Sequence, residues 1–170
     1  MSATIDVLVV FDAATILADN SSPSQDSTSP TSVGRGIYMI VDAGHAAGDQ
    51  AGEELAVNAQ TGDTIRWREA TLAPTDYEAL LYGFTSEQRP NTPQQNLITT
   101  PVPLLITVTE PYPDPDNPTT PQTQTVFDYF WNCTVENAGS LTYQFRFMLV
   151  SRDGKVAGYF TWDPFINITS

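Results

Sequence analysis

The stretch Leu141-Thr142-Tyr143-Gln144-Phe145-Arg146-Phe147-Met148-Leu149 decides the fold. Leu141, Tyr143, Phe145, Phe147 and Leu149 form an unbroken apolar face with a period of two, and Thr142, Gln144 and Arg146 alternate with them. That period belongs to a half-buried β-strand and not to a helix. Arg152-Asp153-Gly154-Lys155 follows, with the Asp-Gly pair favoured by tight hairpins. Val156 to Trp162 then returns as the partner strand.

Working outward, strand signals recur and helical periodicity is almost absent. Strands are predicted at about Thr4 to Asp12, Gly36 to Asp42, Leu55 to Ala59 and Thr64 to Glu69. In the last of these Ile65 and Trp67 share one face, and Thr64, Arg66 and Arg68 the other. Tyr77 to Phe84 reads as helix or strand, with a helical turn able to start near Pro74. Val102 to Glu110 is apolar and has Pro101 and Pro103 at its start, which suits an edge strand or the beginning of a strand. Thr125 to Glu136 is another strand, with Asn137 to Ser140 as its hairpin loop. Two long polar loops are predicted, at about 19–34 and 111–122. Together these features predict one all-β domain over residues 1–170, an antiparallel β-sandwich. Its predicted core is Val7, Val9, Ile40, Ile65, Trp67, Leu104, Ile106, Phe127, Trp131, Tyr143, Phe145, Phe147 and Phe160.

Composition limits the function. The 170 residues carry 7 basic and 20 acidic side chains, a net charge of −13. Lys155 is the only lysine. Nucleic-acid binding rests on clustered Lys and Arg, so it is not expected, and anionic lipid would be repelled. Eight Phe, seven Tyr and three Trp demand a core and exclude a disordered acidic tail. No apolar run is long enough to span a membrane as a helix. The N-terminus, MSATIDVLVVF, has no basic region and no small-residue cleavage site, so a cytoplasmic protein is expected, with leaderless release as another route.

Several residues invite a chemical reading. His45, the only histidine, would have to serve any Ser-His-Asp triad, but it sits in a small-residue loop and no nucleophile elbow occurs. No catalytic residue is assigned. Cys133 alternates onto the same face as Phe127, Tyr129 and Trp131, which predicts a buried, inert thiol. Asp114 and Asp116 lie in an oxygen-rich turn, PYPDPDNP, of the kind that takes calcium; a solvated Asp-Pro turn is the competing reading. Asp49 with Glu53 and Glu54 forms a second acidic cluster. Trp162 and Asp163, near a strand end, are candidates for stacking on and bonding to a glycan, and Trp162 could equally anchor the two sheets. Trp67 and Trp131 fall on apolar faces.

Five segments then carry a resemblance: IDVLVVFD at 5–12, PSQD at 23–26, YMIVD at 38–42, GDTIRWR at 62–68 and YFTWDPFI at 159–166. With their spacing, the chain resembles the bacterial PixA/AidA family from end to end. Ser27 departs from the proline that often follows PSQD there. The resemblance implies an immunoglobulin-like sandwich. It also implies a non-enzymatic protein, linked to cell density and host interaction, that self-associates into intracellular inclusions. A homodimer is the first expectation for its partner. A calcium-dependent lectin for surface glycans is the alternative.

Overall fold

The computed structural model describes residues 2–52, 54–72, 76–90 and 96–169, with the side chains of 87–90 left aside. Pro74 and Glu53 lie outside the described residues.

The elements run in chain order as β1 (Thr4–Phe11), α1 (Ala13–Asp19), β2 (Thr31–Ser32), β3 (Ile37–Val41), a 3-10 turn (Ala43–His45), β4 (Ala56–Gln60), β5 (Thr64–Thr71), β6 (Tyr77–Pro90), β7 (Val102–Pro113), β8 (Pro121–Thr134), β9 (Gly139–Ser151), β10 (Val156–Trp162) and β11 (Phe165–Thr169). One sheet has the order β3-β1-β5-β8-β7. In the other, β6 runs along the whole of one side of β9, while β10 and β11 share its opposite side and are flanked by β2 and β4. The alternating segment Leu141–Leu149 is therefore part of the central strand of the second sheet. Leu141, Tyr143, Phe145, Phe147 and Leu149 are all buried.

The core forms where the two inner faces meet. Trp67 of β5 packs its ring against Phe84, Tyr143 and Phe145 at 5.4, 5.6 and 5.5 Å. Its indole N–H donates to the Tyr143 hydroxyl at 3.2 Å, so both polar tips are satisfied in a dry interior. Phe11 and Phe147 meet at 4.5 Å, and Phe147 stacks on Phe160 at 5.3 Å. Arg152 to Lys155 is the predicted hairpin turn, with Gly154 at φ +82° where a side chain would be strained.

The structure corrects several expectations. The sandwich is not wholly antiparallel: β1 pairs with β5, β10 with β2 and β11 with β4 in parallel. Asn137 to Ser140 is not a hairpin loop, because β8 and β9 belong to different sheets. The predicted loop at 111–122 is shorter than expected, confined to 114–120: β7 continues to Pro113, β8 begins at Pro121, and their pairing runs out to Pro113↔Pro121. The predicted loop at 19–34 is interrupted by β2. Tyr77–Phe84 is strand, with a bulge between Leu81 and Gly83.

A short helix, α1, follows β1 where the sequence shows no helical period. Its seven residues are too few to display a period, but Asp12 caps it by accepting from the Thr15 N–H at 3.0 Å.

Four predicted core residues are exposed: Ile40, Leu104, Ile106 and Phe127. Ile40 pairs with Leu8 on the outer face, while the neighbouring Met39 pairs with Val9 on the inner one. Leu104 and Ile106 face outward by the same alternation. Phe127 has a different reason, which lies in the site.

Candidate functional site

β7 and β8 pair over twelve rungs, from Val102↔Asn132 to Pro113↔Pro121. β5 supports β8 over only four of its residues, Trp131 to Thr134. The remainder of the hairpin is a two-stranded ribbon reaching past the sandwich. Phe127 does lie on the Trp131 side of β8, as its alternation predicts. The ribbon has overrun the opposite sheet there, so Phe127 is 76% exposed and Leu105, on the same side, 62% exposed. Leu104, Ile106 and Tyr112 add exposed apolar surface. Neither Val102–Thr109 nor Pro121–Phe127 contains a charged residue, in a chain with a net charge of −13. A long, apolar, exposed strand edge is a template for another chain.

An ionic clasp holds the ribbon's root. Arg68 of β5 donates to both carboxylate oxygens of Asp128, at 3.1 and 2.7 Å, and to Asp6 at 2.5 Å. Arg66 donates to the other Asp6 oxygen at 2.6 Å. The guanidinium groups of Arg66 and Arg68 lie over Phe130, at 5.5 and 4.7 Å from its centroid respectively, and Phe130 is buried. The hydrogen bonds from Arg68 hold the Asp128 carboxyl below the usual carboxylate range.

Glu69 lies on the inner side of this root. Burial pushes its carboxyl up to about 7, against weaker lowering by backbone hydrogen bonds from its own N–H and that of Leu81. Next to it Trp131 donates to the Tyr129 hydroxyl at 2.9 Å, and Tyr129 donates to the Leu81 carbonyl at 3.0 Å. Sequence inspection missed Glu69. The only signal is a carboxylate in step with Ile65 and Trp67 on the buried face of β5.

The candidates read from sequence are scattered. Asp114 and Asp116 sit at the far tip of the ribbon. Asp114 accepts from the Asp116 backbone N–H at 2.9 Å and from Gln122 at 3.3 Å, as a turn of its own. Among the described residues no group of three or more His, Cys, Asp and Glu converges on a point where an ion could sit. Trp162 is buried, 3% exposed, and stacks at 6.4 Å on Phe145, its register partner on the neighbouring strand of the same sheet, so its ring offers no face to a sugar. Asp163 is exposed and borders a polar cleft with Thr85, Ser86, Thr142 and Gln144. His45 places Nδ1 3.0 Å from the Asn58 carbonyl, half-buried in a hollow that also contains Asp63. Asp63 is committed to the fold, accepting from the backbone N–H groups of Ala3 and Gln60 at 2.7 and 2.8 Å. Cys133 is buried, and burial pushes its thiol up to about 12, far from a reactive thiolate.

Two of the segments that carried the resemblance meet in space. Ser24 bridges to Tyr159, Gln25 donates to the Ala157 carbonyl at 2.9 Å, and the Pro23 ring lies over Gly158. PSQD and YFTWDPFI are therefore two sides of one packed edge.

Fold and site together define a two-sheet β protein whose most distinctive surface is an uncharged, projecting ribbon. The family model of the PixA inclusion body proteins matches residues 3–168, and the chain belongs to that family. The crystal structure of an inclusion body protein (PixA) from Burkholderia cenocepacia J2315 is similar to it, with a TM-score of 0.79 and 19% identity over 99% of this chain and 97% of that one. That likeness confirms the fold. The solution structure of Amebosin aligns at a TM-score of only 0.23 and 11% identity, over 67% of this chain and 88% of that one. No curated protein matches the chain.

Proposed function

We propose that this chain is a non-enzymatic protein whose work is to associate with itself, accumulating in the cytoplasm as inclusions. The observation that supports this most directly is the ribbon, with Leu105 and Phe127 exposed and no charge on its stem. PixA is not a known enzyme family, and its description as inclusion body protein supports the same reading. A link to cell density and host interaction, and an immunoglobulin-like character for the two packed sheets, follow from the PixA/AidA resemblance and belong to this proposal.

A net charge of −13 opposes association at low salt. Assembly then depends on apolar and strand-edge contacts, and raising salt or lowering pH toward the sequence pI near 4.1 favours it. Light-scattering mass on a size-exclusion column, from low to high micromolar protein, tests this. Growth in mass with concentration and salt is the expected result; a monomer under every condition overturns it. Running the columns with calcium and with chelator tests the turn as well. A calcium-dependent mass abolished by Asp114→Asn with Asp116→Asn assigns the ion to those carboxylates.

The polar cleft beside Asp163 supports a second reading, a lectin for surface glycans. Binding on a glycan array, lost in Asp163→Ala, is its expected result. Silence with and without calcium sinks it.

A further inference from the structure

β7 is an edge strand, and no described strand lies beyond it. Its neighbours reveal which way its backbone faces. Thr134 of β8 turns its carbonyl to the Thr99 N–H (2.9 Å) and its N–H to the Thr99 hydroxyl (2.9 Å). Val135 turns both backbone groups the other way, bonding Asp63 and Gly62 at 2.8 Å each. Direction alternates along a strand, so even-numbered residues of β8 face β7. Even pairs with even in the register, as in Leu104↔Phe130 and Ile106↔Asp128. Even-numbered residues of β7 therefore face β8, and odd-numbered ones face the open edge.

Pro103, Pro111 and Pro113 are all odd, where a missing donor disturbs no bond to β8. The outward N–H donors between them are Leu105, Thr107 and Thr109. This window is symmetric: Pro103 and Pro111 are each four residues from Thr107, and Pro101 and Pro113 each six.

We infer that β7 is the contact surface for a second copy of this chain, the two edges pairing antiparallel about a two-fold axis at Thr107. This rests on the self-association reading above and gives it an interface. In that register Leu105 faces Thr109 of the copy and Thr107 faces its own equivalent. Every outward donor of the window then meets a carbonyl. Proline meets proline at both ends, so the missing donors coincide and remove no further bonds. A partner without this spacing would leave its own donors facing the prolines. Charge agrees with pairing like to like: Val102–Thr109 has no ionisable group, and Glu110 falls beside Leu104 of the copy instead of beside another carboxylate. Two-fold pairing of this kind is isologous and closes on itself. The prolines limit its length, which suits a concentration-dependent dimer.

The test uses the full chain and three kinds of variant. Thr107→Pro removes the central outward donor, and Thr107→Glu sets two carboxylates against each other on the axis. Thr107 is exposed in the monomer, and circular dichroism with thermal melting checks that both variants keep the fold. The expected result is a dimerisation midpoint weakened at least about tenfold in both, with melting unchanged at low concentration. Under mild oxidation Thr107→Cys is expected to form a disulfide-linked dimer much faster than Thr109→Cys, whose equivalent lies opposite Leu105. If the wild-type chain associates and both Thr107 variants associate equally well, the interface is elsewhere and this inference falls, while the proposed function stands. If the wild-type chain never associates, the proposed function falls and takes the interface with it.

Discussion

Arg68 of β5 and Asp128 of β8 are joined by two parallel hydrogen bonds, at 3.1 and 2.7 Å, where the ribbon leaves the sandwich. The fork matches a guanidinium to a carboxylate and is only partly solvated, so it exceeds an ordinary surface pair. Arg68→Ala is expected to cost about 1–2 kcal/mol in urea unfolding, and Arg68→Lys to recover little, because an ammonium cannot form the fork. Amide exchange in β8 should quicken most toward Pro121. Asp128 is held below its ordinary range, so its contribution is present at neutral pH and is lost as pH falls through its folded value.

Glu69 carries the opposite sign. Its carboxyl is raised from 4.5 to about 7 by burial, so the folded chain holds the proton more tightly than the unfolded one. Between those values the folded state binds more protons, and stability falls as pH rises. Glu69→Gln keeps an acceptor for the Leu81 N–H and removes the buried charge. The variant is expected to be more stable than wild type at pH 8, and the difference to shrink toward zero near pH 4.5. Thermal melts of both proteins across that range provide the check.

Tyr143 gives the Trp67 indole its partner in a fully buried pair, at 3.2 Å. Tyr143→Phe leaves that N–H without an acceptor at almost unchanged volume, which costs about 1–3 kcal/mol. Chemical denaturation measures it, and a change below a few tenths would show that the indole finds another acceptor.

Gly158 is required by its surroundings. A Cβ there would stand 2.5 and 2.7 Å from Pro23 ring carbons and 3.1 Å from Phe160. Pro23 is rigid and Phe160 is in the core, so Gly158→Ala is expected to cost about 1–3 kcal/mol. Proteolysis at Ser24 to Ser29 should quicken with it, since that segment is held on β10 by the Ser24–Tyr159 bridge.

His45→Ala is expected to change stability by less than about 0.5 kcal/mol, as at an ordinary surface position. The substitution removes the His45 Nδ1 contact to the Asn58 carbonyl at 3.0 Å. Any hydrolytic turnover that survives the substitution rules out a histidine-dependent hydrolase.

The sequence alone determined the β character, the strand from Leu141 to Leu149, the Asp153-Gly154 turn and the restriction of the Pro103 strand to an edge or to a strand's beginning, between which the sheet order chose. Each is local: a two-residue period, a turn that needs positive φ, a residue with no N–H. The family resemblance was also legible, because PSQD and YFTWDPFI are contiguous segments. Tertiary structure decided what depends on partners distant in the chain. Ile40 and Met39 are both apolar, and only the register against Val9 and Leu8 selects Met39 for the core. Phe127 obeys its alternation and is still exposed, because exposure depends on where the opposite sheet ends and not on anything within β8. Glu69 is an ordinary carboxylate in sequence, and burial on the inner face of β5 made it an unusual one. The spacing of prolines about Thr107 is printed in the chain. It acquired a physical meaning only once the sheet showed which backbone groups of β7 face outward.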